Sequence, residues 1–327
     1  MARKVQHSLL NKAKVNKKDE FYTQLIDIER ELQYYSGQFK DKTVFCNCDD
    51  PTVSNFYRYF VENFEKLGIK KIICACYRKN NSEFFSSKLE NPGKYYFYTG
   101  VEKQFPEEED LIPFDNDGDF RSLESIRLLK ESDIIVTNPP FSLFRDFLSL
   151  ILRYKKKFLT IANVNALTYK EVFTEIEKNN IWLGINLGRG ISGFIVPREY
   201  DLYGTEVTID SEGNRIIATN GCLWLTNLDH YQRHEYIPLK EVYKGNESKF
   251  QKYDNYDGIN VDKTKDIPSD YYGDMGVPIT FLHKFNPNQF EIIRFRKGND
   301  GKDLAIDGKC PYFRIVIRRK MGSFCAL

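Results

Sequence analysis

The stretch that decides the fold is Asp133-Ile134-Ile135-Val136-Thr137-Asn138-Pro139-Pro140-Phe141. The run from Asp133 to Thr137 is rich in β-branched residues and reads as a short buried strand. Two prolines then remove backbone donors and bias the residue before them away from helix, so the chain neither extends the strand nor opens an ordinary helix at Asn138. The result is an Asn side chain and at least one free backbone carbonyl at the carboxyl end of a strand. Open α/β sheets take their ligands there. An isolated N-P-P-F is also an ordinary strand-ending turn, because Asn and Pro are common turn residues; the surrounding chain decides between the two.

Outward from this stretch, short β-rich runs alternate with helical periodicity from about residue 25, the pattern of a wound α/β domain with a mostly parallel sheet. Strands are expected at Thr43 to Cys48, Lys71 to Cys76, Lys157 to Asn163, Ile181 to Leu187 and Cys222 to Leu228. Between them, Val53, Phe56, Tyr57, Phe60, Phe64 and Leu67 share one helical face that Gly68 is placed to end. Further helices are expected from about Ser122 and over Phe144 to Leu152, and Thr168 with Glu171 forms a T-x-x-E capping box for another. Thr205 to Asp210 and Arg215 to Ala218 read as a hairpin. The alternation stops near residue 229, where the chain turns rich in Tyr, Asp, Asn and Lys, so a domain boundary is expected there. That agrees with 327 residues, about two domains' worth at roughly 150 each.

Lys and Arg total 48 against 46 Asp and Glu, a net charge of +2 that excludes a wholly basic nucleic-acid coat. The sum hides an uneven distribution. Residues 1–18 carry Arg3, Lys4, Lys12, Lys14, Lys17 and Lys18 with no acid, residues 102–119 are strongly acidic, and Arg294, Arg296, Lys297, Lys309, Arg314, Arg318, Arg319 and Lys320 make the C-terminal part basic. Singly each cluster reads as a solvated face; two basic ends are the footprint of a phosphate-binding protein. Seven cysteines, odd in number and sparse, read as thiols of a reducing cytoplasm. No signal peptide or membrane span is expected, since the most apolar run, Phe147 to Leu152, is stopped by Arg153.

The chemistry that suits a fixed Asn and a carbonyl at a strand end is methylation of an exocyclic amine. An adenine amino nitrogen is a poor nucleophile because its lone pair is delocalised into the ring. Asn138 Oδ1 and the Pro139 carbonyl can accept its two protons and draw it toward a tetrahedral state. Phe141 is placed to stack on a base flipped out of the duplex, as enzymes acting on bases inside DNA require.

This local sequence resembles motif IV of the amino-group methyltransferases that use S-adenosylmethionine. In the order that class requires, Asp19-Glu-Phe-Tyr22-Thr23 resembles its cofactor-contacting N-terminal motif and Asp49-Asp50-Pro51 its motif I. Gly118-Asp119-Phe120 resembles the segment holding the cofactor's adenine, with Phe120 stacking and Asp119 accepting from the amino group. Lys18 to Gln24, Cys46 to Pro51, Asp133 to Arg145, Asn186 to Pro197 and Gly276 to Pro287 resemble the EcoRI family of DNA adenine methyltransferases over essentially the whole chain. The resemblance implies an α/β fold, the Rossmann-like seven-stranded S-adenosylmethionine methyltransferase fold with a C-terminal target-recognition module. It implies a cofactor-binding and catalytic domain over 1–228 with the basic arm 1–18, and DNA target recognition over 229–327. The implied reaction is methyl transfer to N6 of a flipped adenine in double-stranded DNA at GAATTC. The implied enzyme is a cytoplasmic monomer alongside a companion restriction endonuclease with which it forms no stable complex.

Catalysis is thus expected of Asn138, Pro139, Pro140 and Phe141, and cofactor binding of Tyr22, Thr23, Asp49, Asp50, Pro51, Asp119, Phe120 and Asn138. Two departures from the broad class stand out: Thr52-Val-Ser-Asn-Phe56 follows Pro51 with no glycine-rich turn, and the second strand ends in Cys76-Tyr77 instead of a ribose-gripping acid. Phe194 reads either as a second stacking aromatic or as a loop anchor. Lys14, Lys17, Lys18, Arg189, Arg294 and Arg296 are candidates for DNA contact. No metal is expected, because Cys46-x-Cys48 and Cys74-x-Cys76 lie in expected strands and lack the wider ligand spacing of structural zinc sites. Two rival functions remain at this stage: a protein glutamine methyltransferase, which also uses N-P-P with an aromatic, and a catalytically silent DNA-binding protein.

Overall fold

A computed structural model describes residues 21–78, 91–186, 190–196, 207–211, 213–218, 221–296, 304–310 and 313–322. Candidates Lys14, Lys17, Lys18 and Arg189, and the basic arm 1–18 as a whole, lie outside the described residues.

In chain order the first elements are β1 (Tyr22–Thr23), α1 (Leu25–Leu32), β2 (Thr43–Asn47), α2 (Asn55–Glu62), α3 (Phe64–Leu67) and β3 (Lys71–Cys76). There follow β4 (Lys94–Tyr98), β5 (Ile112–Pro113), α4 (Leu123–Glu131), β6 (Ile134–Thr137), α5 (Phe144–Arg153), β7 (Lys157–Asn163) and α6 (Lys170–Glu177). Then come β8 (Trp182–Leu183), β9 (Phe194–Val196), β10 (Val207–Ile209), β11 (Arg215–Ile217) and β12 (Cys222–Thr226). The large sheet has eight strands in the order β5-β4-β3-β2-β6-β7-β12-β8, one more than the seven expected. It is mixed, not mostly parallel: β2 pairs with β3 and β6, and β6 with β7, in parallel, whereas β4, β5 and β12 enter antiparallel. The aromatic stretch Lys94–Tyr98 supplies β4. Of its four consecutive aromatics Tyr96 and Tyr98 are buried and Tyr95 and Phe97 only partly so, a strand that its polar flanks conceal.

Local chemistry explains the helix ends. Ser54 Oγ accepts from Tyr57 N at the start of α2, and Ser122 Oγ from Ser125 N at the start of α4. Gly68 closes α3 with φ 62°, the left-handed cap expected of it. The expected capping box at Thr168 does not form: Tyr169 is the N-cap of α6, and the Thr168 hydroxyl donates to Asn165 O at 2.8 Å. The expected strand from Ile181 shrinks to Trp182–Leu183, because the backbone N–H groups of Ile185 and Asn186 are taken by a side chain, Glu31.

The chain divides into two compact units, Met1–Val164 with Gly184–Leu228, and Asn165–Leu183 with Asp229–Leu327. Residues 165–183, which the periodicity leaves in the first domain, therefore group with the C-terminal part. In the first unit, α2, α4 and α5 pack on β3, β2 and β7, and the core holds fully buried Phe45, Phe56, Phe60, Phe147, Phe158 and Trp224. A second small sheet, β1-β9-β11-β10, brings Tyr22 opposite Ile195 and Thr23 opposite Phe194. The second unit carries β13 (Gly258–Asn260), β14 (Asp274–Val277), β15 (Phe290–Arg296) and β16 (Arg314–Arg319) in the order β13-β14-β16-β15, with α6 against β15. Among the described residues no helix is long and apolar enough to cross a membrane.

Two buried carboxylates on α1 hold the segment that leads to β9. Glu31 Oε1 accepts from Tyr35 Oη at 2.9 Å and Ile185 N at 2.8 Å, and Oε2 from Asn186 N at 2.9 Å and Asn186 Nδ2 at 2.8 Å. Asp27 Oδ2 accepts from Ser192 N and Ser192 Oγ, both at 2.8 Å. Burial pushes both carboxyls above their usual range, against these hydrogen bonds. Glu31→Ala leaves several donors buried without acceptors and is expected to cost about 3 kcal/mol of stability. This is measured as a lower urea midpoint at unchanged slope. Glu31→Gln should lose less, since its amide oxygen still accepts.

Candidate active site

The carboxyl ends of β2, β3 and β6 converge. Asn138 follows β6 directly, and its Nδ2 donates to Phe21 O at 2.8 Å. A carbonyl can face only the NH2 end of an amide, so this contact turns Oδ1 the other way. Asn138 Oδ1 is buried and has no hydrogen-bond partner among the described residues. Buried polar atoms are nearly always paired, so an orphaned acceptor at a strand end points to a ligand's donor. Pro139 is buried beside it, while Pro140 and Phe141 are partly exposed.

Phe141 belongs to a cluster of three rings. Phe21 stacks on Phe194 with centroids 5.8 Å apart and on Phe141 at 6.4 Å, and Phe141 and Phe194 lie 6.0 Å apart. Phe194 is fully buried and Phe141 is not, so Phe141 is the most open ring of the three. Phe21 is the member that sequence reasoning missed. It sits inside the N-terminal motif, but nothing in its local pattern showed that its carbonyl aims Asn138.

The turn after β2 forms without the glycine of the broad class. Ahead of that turn, Cys48 takes φ 74°, a left-handed conformation costing a non-glycine residue roughly 1–2 kcal/mol. The expected strand residue Cys48 thus lies just past β2 and swings the chain into Asp49. Asp49 is buried: its N–H donates to Ala75 O at 2.9 Å, Ser54 Oγ donates to its Oδ1 at 2.9 Å, and Thr137 Oγ1 lies 2.6 Å from its Oδ2. Asp50 caps the turn by accepting from Thr52 N at 2.9 Å and Thr52 Oγ1 at 2.7 Å, and pairs with Arg78 at 3.6 Å. Arg78 also makes a two-pronged contact with Glu108 at 2.7 and 2.6 Å. It thereby ties the acidic segment to the end of β3, where a ribose-gripping acid is usual.

The Asp119 segment reaches the same end of the sheet through Gly118. Gly118 has φ 79°, and a Cβ there would lie 2.5 Å from Cys76 O, so only glycine allows this approach. Arg121 hydrogen bonds hold the Asp119 carboxyl below the usual range, against partial burial. Phe120 is buried edge-on against Phe147 at 5.6 Å, with the Arg121 guanidinium 5.3 Å from its ring. Tyr22 and Thr23 join the site through β1, whose Thr23 carbonyl accepts from Asn55 Nδ2 at 2.8 Å. Thr23 Oγ1 and Asn47 Nδ2 are, like Asn138 Oδ1, buried without a partner among the described residues.

In the second unit Arg294 lies 5.2 Å over the Tyr256 ring, and Arg296 ends β15 with its side chain outside the described set. The neighbouring basic cluster is largely internal. Arg314 bonds Asn260 and Asp262, Arg318 pairs with Asp274 at 2.7 Å, and Arg319 donates to Ser269 O. Cys46 and Cys74 sit side by side on β2 and β3, both buried. Among the described residues no group of three or more His, Cys, Asp or Glu side chains is placed to hold a metal.

Residues 9–320 match the family model for the adenine-specific methyltransferase EcoRI. The chain belongs to the EcoRI family of adenine-specific methyltransferases. It is 63% identical to the Type II methyltransferase M.EcoRI of Escherichia coli over 98% of this chain and 99% of that protein. It is 36% identical to the Type II methyltransferase M.MpnI of Mycoplasma pneumoniae and 35% identical to M.MgeORF184P of Mycoplasma genitalium, each over 95% of this chain and 98% of the relative. No solved structure matches the chain. Family membership makes the chain an enzyme, an adenine-specific methyltransferase.

Burial pushes Asp49 up to about 7 from 3.8, while hydrogen bonds from Thr137 and Ser54 pull it down. Thr137 has one hydroxyl proton and faces two acceptors, Asn47 O and Asp49 Oδ2; a protonated Asp49 supplies the second hydrogen bond itself. Between these two values the folded chain holds a proton that the unfolded chain has lost. The group therefore favours folding at low pH, and its contribution drains away as pH rises through about 7. Asp49→Asn cannot ionise, so the stability of the wild type relative to this variant should fall on going from acidic to mildly alkaline pH. Urea midpoints for both proteins across that range check this, and a difference independent of pH would contradict it.

Proposed function

We propose that the chain transfers a methyl group from S-adenosylmethionine to the exocyclic N6 amino group of an adenine flipped out of double-stranded DNA, at GAATTC. One observation carries the reading: Asn138 Oδ1 is buried, unpartnered and aimed by the contact with Phe21 O. An amino group presented there donates one proton to Asn138 Oδ1 and the other to the Pro139 carbonyl. Both acceptors pull the nitrogen toward tetrahedral geometry and direct its lone pair. Because they are already oriented, no reorganisation is needed as charge develops. Pro140 stiffens the turn, Phe141 stacks on the extruded base, and Phe194 backs it through Phe21.

The donor set on the other side of the site fits S-adenosylmethionine, which supplies an electrophilic methyl on a cationic sulfur. Two acidic side chains, Asp49 and Asp50, stand at the end of β2 beside Pro51, and of these the more exposed Asp50 suits a cation. Thr23 Oγ1 and Asn47 Nδ2, both buried and unpartnered, offer further polar contacts. Tyr22 flanks Thr23 in β1, and Asn138 borders both halves of the site. Phe120 would face the cofactor's adenine, and Asp119, whose oxygens retain lone pairs beyond those used by Arg121, would accept from its amino group.

In this reading 1–228, including the basic arm, forms the catalytic domain and 229–327 reads the target. Lys14, Lys17, Lys18, Arg189, Arg294 and Arg296 neutralise DNA phosphates. The enzyme works in the cytoplasm as a monomer and protects its site from a companion endonuclease with which it forms no stable complex. Neither glutamine methylation nor a catalytically silent DNA-binding role has an observation in its favour.

Asn138→Ala should leave duplex binding within about twofold and slow methyl transfer by roughly 100- to 1,000-fold, the usual loss for one preorganised polar partner. Tritium incorporation from labelled cofactor into a GAATTC duplex measures it, and full turnover would refute the assignment. Affinity for the duplex should also fall steeply and linearly on a log–log plot against salt; a flat response would remove DNA as the partner.

A further inference from the structure

Thr137, the residue just before Asn138, is fully buried and carries a hydroxyl at the end of an otherwise apolar strand, Ile134-Ile-Val-Thr137. That hydroxyl contacts Asn47 O, at the last residue of β2, and lies 2.6 Å from Asp49 Oδ2. Its backbone carbonyl accepts from Thr160 Oγ1 on β7 at 3.0 Å. The parallel register between β2 and β6 runs through Val44↔Ile134 and Phe45↔Ile135 and goes no further. At the carboxyl ends of the two strands, where the site lies, a side chain and not the backbone ladder joins them.

We propose that Thr137 is a positioning residue for methyl transfer, its hydroxyl bracing the end of β6 against Asn47 and Asp49. The brace sets the separation between the acceptors on Asn138 and Pro139 and the Asp49–Pro51 turn on the donor side. This rests on the function proposed above. Two substrates held on adjacent strand ends react only if the nitrogen, methyl carbon and leaving sulfur align, and a misplacement of about 1 Å can cost on the order of 100-fold in rate. Thr137 exchanges no proton with substrate; it acts through the backbone of the residue it precedes. A packing role alone would be filled equally by valine, which has the same shape and no hydroxyl to bury.

The test compares full-length wild type, T137V, T137S and N138A in single-turnover methyl transfer from tritiated S-adenosylmethionine to a GAATTC duplex. DNA and cofactor affinities and the folded fraction are measured in parallel. T137V is expected to slow the single-turnover rate by roughly 10- to 100-fold with both affinities within about twofold, and T137S to recover to within about threefold of wild type. If T137V does not fold, T137C, with a weak S–H donor, is read in its place and should fall between the two. The inference is overturned if T137V transfers at the wild-type rate, if T137S loses as much as T137V, or if the loss vanishes on correction for folded fraction. N138A keeps the two readings apart. With N138A inactive and T137V unimpaired, only the brace falls; with N138A fully active, the assignment of Asn138 falls and the brace with it.

Discussion

The hydrogen bond from Asn138 Nδ2 to Phe21 O joins the end of β6 to the N-terminal motif. A single contact has two consequences. It turns the amide so that its oxygen is left buried and open, and it seats the segment leading into β1, which pairs with β9 and brings Phe194 onto Phe21. Orientation of one acceptor and assembly of an aromatic wall thus follow from the same donor. An amide is the side chain that can do both, because it carries a donor end and an acceptor end on one rigid plane.

Buried carboxylates recur wherever distant segments meet in the first unit. Glu31 and Asp27 on α1 hold Asn186 and Ser192, ahead of β9, and Asp49 gathers Ser54 and Thr137. Each is desolvated, which raises its proton affinity, and each is surrounded by donors that would be stranded without it. Such groups add little net stability compared with an apolar core of the same volume. They specify geometry, because removing one leaves several unmatched donors.

The C-terminal unit shows how far a charge count misleads. The basic run near the end reads as a phosphate grip, yet Arg314, Arg318 and Arg319 are engaged by Asp262, Asp274 and the Ser269 carbonyl. Cations whose acids stand far away in sequence look free until the chain folds. Arg294 instead has its guanidinium over the Tyr256 ring.

The sequence by itself determined the α/β class, most strands of the large sheet, the Gly68 cap and the family. Each depends on a local signal: alternation of apolar runs, a left-handed glycine, or a motif whose residues are adjacent in the chain. Asn138-Pro-Pro-Phe141 was legible because two prolines forbid the alternatives within four residues. Tertiary structure alone decided that β4, β5 and β12 run antiparallel, that Cys48 takes a left-handed backbone, that Thr168 is not a cap and that residues 165–183 group with the C-terminal unit. It alone brought Phe21 O to Asn138 Nδ2 and the Thr137 hydroxyl to Asp49, across separations of 117 and 88 residues. The physical reason is the same in each case. Strand direction, partner choice and the state of a buried polar atom are set by whichever group lies opposite in space, and no local pattern encodes that group.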